Sequence, residues 1–177
     1  MNAFRKYAPW TIGIAMAAFI IPSTTSSFFK EKDYSKPSVK QPPKQYEPPF
    51  RMDGTLWAIN DSDTTAIFRT EYANTPETIE YGMMYRRTMD KDMAMLFFMS
   101  GGDQLRSFWM KNTIVPLDII YINSKNEVVS IQANAEPYSE KSLPSGTPAS
   151  YVLEIYGGEA AAQGIGVGTE VYWSDKK

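Results

Sequence analysis

Between residues 51 and 173 the chain is a series of short apolar runs separated by turn-forming clusters. Residues 56–60 are mainly apolar and end on Asn-Asp-Ser-Asp, and residues 66–73 (AIFRTEYA) alternate imperfectly. This pattern predicts two strands around a hairpin turn at 60–63. Asn74 or Thr75 then stands as an N-cap before Pro76 and Glu77. A helix is expected over 76–84, with Ile79 and Met83 on one face. Residues 94–99 (AMLFFM) are continuously apolar, as in a strand covered on both faces. Further strands are predicted at 107–110, 118–122, 127–132, 151–155 and 169–173, with 123–126 (NSKN) as a hairpin turn. Residues 134–148 read as a long polar loop, and 159–163 as a short helix stopped by Gly164. About eight strands in runs, with two short helices, point to an α+β domain that is mostly antiparallel β. A compact small barrel or a strongly curved sheet buries so many short strands with few exposed edges.

The first fifty residues show other patterns. Arg5 and Lys6 precede fifteen uncharged residues, 7–21, and then come Pro22 and a Ser/Thr tract. Residues 1–29 therefore read as a signal peptide or an N-terminal membrane anchor. Either one exports the rest of the chain, to the periplasm or another extracytoplasmic space. As an anchor, residues 7–29 would hold the chain at the inner membrane. Residues 30–50 mix five prolines with Lys, Glu and Gln, which predicts a disordered, extended linker. The globular domain is placed at 51–177.

Composition narrows the chemistry. There is no Cys and no His among the 177 residues. Thiol nucleophiles, disulfides and a Ser-His-Asp triad are excluded, and no cofactor or metal site is implied. The net charge of −2 argues against nucleic acid as a partner, because that binding draws on a basic surface. Aromatic residues make up 14 %, enough to build a core.

Residues 107–122 (SFWMKNTIVPLDIIYI) stand out. Lys111 and Asn112 come directly after Phe108, Trp109 and Met110, and Asp118 opens a β-branched run. Polar groups this close to apolar surface must find partners or face a cleft. Together with YGMMYRR at 81–87, MAMLFF at 93–98, VVSIQANAEP at 128–137, YVLEIYGG at 151–158 and GIGVGTEV at 164–171, this stretch resembles the DUF192 family in order and spacing. The resemblance spans roughly residues 55–173. It implies a compact, mostly β domain, in a family that is often exported and has no established activity. The chain departs from the family pattern at Met83, where Leu is usual. It also has Tyr138 and Ser139 in a loop that carries Cys in some members, and Thr169 where Asp is usual.

Two kinds of role are open to the polar residues. In the first, Arg86, Trp109, Lys111, Asn112, Asp118 and Glu154 line a polar-aromatic cleft. That cleft would hold a small anionic or carbonyl ligand, or an envelope protein. In the second they are structural: Lys111 pairs with Asp118 or Glu154, Asn112 bonds backbone at a turn, and Arg86 caps the 76–84 helix. Gly157-Gly158 before the short helix is a weak anion-site signal. An exported binding module is the leading expectation. The alternative is a carboxylate-based hydrolase or lyase acting on an envelope polymer through Asp118 and Glu154, which needs both acids in one cleft.

Overall fold

In the computed structural model, which describes residues 47–176, β1 (Gly54–Asn60) and β2 (Asp63–Ala73) pair antiparallel around Asp61 and Ser62. Both turn residues have positive φ, 48° and 72°, the handedness that matches the twist of a two-residue hairpin. The leader-like segment 1–29 and most of the expected linker lie outside the described residues. After β2 come α1 (Pro76–Tyr81), β3 (Met93–Phe98), β4 (Ser107–Phe108), β5 (Leu117–Ile122) and β6 (Val128–Ala135). The order ends with β7 (Leu143–Pro144), β8 (Tyr151–Tyr156), α2 (Glu159–Ala162) and β9 (Glu170–Asp175).

Seven strands form one sheet in the order β6-β5-β8-β3-β2-β1-β9, and β4 pairs with β7 beside it. Every pairing is antiparallel except β2–β3, which is parallel and is joined through α1. The α+β, mostly antiparallel expectation therefore holds. The sheet is not a closed barrel. Its two edge strands approach at a single bridge, Glu127 to Glu170, with Val128 N donating to Thr169 O at 2.9 Å and Val171 N to Asn126 O at 2.8 Å.

Alternation sends successive side chains to opposite faces and builds two apolar clusters. One face carries Leu56, Phe68, Leu96, Ile120, Leu153 and Val171, all essentially inaccessible. The other carries Met95, Phe97, Ile119, Tyr121 and Val152, covered by Met83, Met89, Met110 and Val115 from the connecting segments. The continuously apolar β3 is explained by this two-sided burial.

Local chemistry moved several predicted boundaries. Thr75 is the N-cap, in a capping box with Thr78. The helix stops at Tyr81 rather than 84, because Gly82 takes φ 47°, ψ −129° and its N–H closes on Thr78 O. The expected strand 107–110 is only Ser107–Phe108, since the chain turns back with Thr113 N donating to Met110 O. The expected loop 134–148 begins inside β6 and contains β7, which pairs with β4. The Tyr121 hydroxyl, donating to Leu143 O, ties that small sheet to the large one.

Candidate functional site

On the second face of the sheet, Glu71, Met95, Glu154 and Ile119 form one row across β2, β3, β8 and β5, each paired with the next. Two carboxylates thus stand two strand spacings apart, and both are about 4 % exposed. Their surroundings differ. Glu71 takes the guanidinium of Arg86, with Nη2 at 2.8 Å, and that of Arg51, with Nη2 at 3.2 Å. The Arg51 backbone N–H adds a bond of 3.1 Å.

Glu154 has no such pairing. Its Oε2 is buried and has no hydrogen-bond partner among the described residues. Burial pushes the carboxyl up to about 8 from 4.5, opposed only in part by the charge of Arg86. The group is therefore mainly protonated at pH 7. It also forms part of the wall of a cavity of about 470 Å³. Ile79–Met84 forms one side of this cleft, Ser107–Trp109 the other, and Phe97 and Met99 add apolar wall. Gly82 makes the close approach possible: a Cβ there would meet Phe97 at 3.0 Å and Glu154 Oε2 at 3.6 Å. Trp109 is 48 % exposed at the mouth, and Lys111 Nζ stands 5.1 Å from its ring centroid.

The structure places the predicted residues in different settings. Glu154 and Trp109 share the cleft. Lys111 stacks on Trp109 and forms no ion pair with Asp118 or Glu154. Asn112, at φ 57°, donates through Nδ2 to the Tyr85 hydroxyl at 2.9 Å, and its carbonyl accepts Tyr85 N–H at 2.9 Å. It pins the segment carrying Gly82–Met84 to the turn after β4, so it positions the cleft walls. Arg86 does not cap α1. It is buried on Glu71 and lines a neighbouring cavity of about 500 Å³ with Tyr81, Gly82, Tyr85 and Met95.

Asp118 is elsewhere. It pairs across strands with Ile155, whereas Glu154 pairs with Ile119, so the two acids lie on opposite faces of the sheet. Asp118 accepts Asn134 N–H at 2.7 Å, Gly158 N–H at 2.9 Å and Ala160 N–H at 2.8 Å. The start of α2, with its two glycines, thus already holds an anion, the chain's own Asp118. A hydrolase or lyase that uses Asp118 and Glu154 together is ruled out by this geometry.

Two site residues were not foreseen. Glu71 sits in AIFRTEYA, where parity with Arg69 suggests exposure; its burial comes from Arg51 and Arg86, both distant in sequence. Gly82 was hidden inside a helix expected to run two residues further.

Residues 58–173 match the DUF192 family, described as an uncharacterized ACR. Among solved structures, a protein of unknown function from Novosphingobium aromaticivorans is 38 % identical. It aligns with a TM-score of 0.64 over 67 % of this chain and 84 % of its own. A protein from Sinorhizobium meliloti described as a putative transcription regulator is 33 % identical, with a TM-score of 0.66 over 72 % of this chain and 98 % of its own. No curated protein matches the chain. The FWMKNT stretch, the glycine-walled cleft and the seven-stranded sheet thus sit within a match that covers most of the folded residues, and the chain belongs to the DUF192 family.

Proposed function

We propose that this chain is an exported, envelope-associated module that binds a ligand in the cleft floored by Glu154. One observation carries the binding reading. Glu154 keeps a buried oxygen without a partner among the described residues, on the wall of an aromatic-lined cavity. Leaving such a group unpaired costs about 1–3 kcal/mol, a cost that a ligand bonding to it removes. The uncharged stretch after Arg5 and Lys6 and the proline-rich 30–50 segment support the address. The cleft does not favour the role described for the Sinorhizobium protein. Among the described residues it is lined by Glu80, Glu140 and Glu154 and by no basic residue, the reverse of a phosphate-binding surface.

NMR of the isotopically labelled protein against a collection of small fragments tests the binding reading. Shifts are expected to cluster at residues 79–84, 107–109 and 154. Binding confined to other surfaces, or no binding at all, overturns it.

A further inference from the structure

We propose that the ligand of the Glu154 cleft is an organic cation, an ammonium group on an apolar body. The proposal rests on the cleft being a binding site and names what it selects. Among the described residues three carboxylates line the cavity, Glu80, Glu140 and Glu154, and neither Lys nor Arg does. The apolar wall comes from Phe97, Phe108, Trp109, Met83 and Met99. Aromatic faces attract cations, and the chain's own Lys111 already sits over the Trp109 ring.

Each ligand class meets this lining differently. An anion would approach three acids, and Lys111 at the mouth is stacked on Trp109 rather than lining the cavity. A neutral carbonyl would accept from protonated Glu154 and leave the other acids without a role. An ammonium pairs with Glu154 at the floor while its hydrocarbon part covers the aromatic wall. The volume of about 470 Å³ suits a small aryl-alkyl amine or a single basic side chain.

The proton balance separates these classes. Free Glu154 holds a proton at pH 7, and pairing with an ammonium requires the carboxylate. The proton therefore leaves to solvent on binding, and cation affinity rises with pH by about tenfold per unit until Glu154 ionises unaided. A carbonyl ligand needs the acid form, so its affinity falls as pH rises past that point. Other charges face this group. Glu80 and Glu140 are exposed acids, and Arg86 is paired with Glu71. The strand neighbours Met95 and Ile119 do not titrate, and burial pushes the Tyr121 hydroxyl well above its ordinary range.

The test is calorimetry on the full chain with 2-phenylethylammonium, 2-phenylethanol and phenylacetate at pH 6, 7 and 8. A blocked lysine peptide runs in parallel, to separate a free amine from one borne on a protein. The ammonium is expected to bind at least about tenfold more tightly than the alcohol, with phenylacetate inert. Its affinity should climb about tenfold per unit, with close to one proton released at pH 7. Glu154→Gln should abolish both the preference and the pH slope. Trp109→Ala, a change at an exposed position, should weaken binding and keep the slope. Equal or better binding of the alcohol or the phenylacetate in the same cleft overturns the cation proposal and leaves the cleft reading standing. Failure of every probe to bind overturns both.

Discussion

Replacing Glu154 by Gln removes the ionisable group and nearly preserves its shape, so the effect on folding isolates the buried carboxyl. In the folded chain burial raises this group from 4.5 to about 8. Below pH 4.5 the carboxyl is protonated in both states and contributes nothing. Between 4.5 and 8 the unfolded chain gives up the proton and the folded chain retains it, so stability falls as pH rises. Above 8 both states are ionised and the full cost is present. At about 1.4 kcal/mol per pH unit, this span sets a ceiling of about 5 kcal/mol. Local opening of the cleft to water reduces it, and at least about 2 kcal/mol should survive. Gln has no proton to lose, so the variant should gain on the wild type steadily from pH 5 to pH 8.

The window is unusually clean in this chain. It has no His and no Cys, the side chains that ordinarily titrate there. Asp92 is held below the usual carboxylate range by Arg69, Asp103 by Ser150 and Ser124, and Glu159 by Lys91. Their contributions are lost only as pH falls below about 4. Urea unfolding followed by tryptophan fluorescence at pH 5, 6, 7 and 8 measures the difference. A flat wild-type profile, or an equal slope in Glu154→Gln, would refute the burial reasoning.

Two further substitutions test the frame around the cleft. Asp118→Ala leaves the N–H groups of Asn134, Gly158 and Ala160 without their acceptor and should cost about 3 kcal/mol or more in urea unfolding. A loss under about 1 kcal/mol would mean that water replaces the carboxylate freely. Arg86→Met strips Glu71 of its buried partner and leaves only half-exposed Arg51, for an expected loss of about 3 kcal/mol. Adding Glu71→Gln should recover much of that loss, and strictly additive losses in the double variant would show that the pair is not coupled.

The strand pattern was legible because alternation and turn chemistry are local. Asn-Asp-Ser-Asp marked the first hairpin, NSKN the second, and AMLFFM the doubly covered β3. The parallel β2–β3 pair and the Ser107–Phe108 to Leu143–Pro144 pairing were not legible. Both depend on which distant segments meet, and no periodicity encodes that. Arg86 illustrates the same limit. Its position after a predicted helix invited a capping role, while its actual partner, Glu71, lies fifteen residues earlier on a different element.

Glu154 and Asp118 show how much one step of parity decides. Both acids lie in apolar strands, both are buried, and β5 and β8 are adjacent. A sequence reading has equal reason to pair them with each other or with Lys111. The register sets Asp118 opposite Ile155 and Glu154 opposite Ile119, one residue out of phase, so one acid faces each side of the sheet. On its side Asp118 meets three backbone amides that need an acceptor. Glu154 meets a glycine and aromatic walls at the edge of a cavity. The most recognisable stretch, FWMKNT, supplies walls and wiring through Phe108, Trp109 and Asn112. The group with unspent hydrogen-bonding capacity comes from β8. Recognition of the family and chemistry of the site therefore reside in different strands, which is why a strong motif left the ligand unnamed.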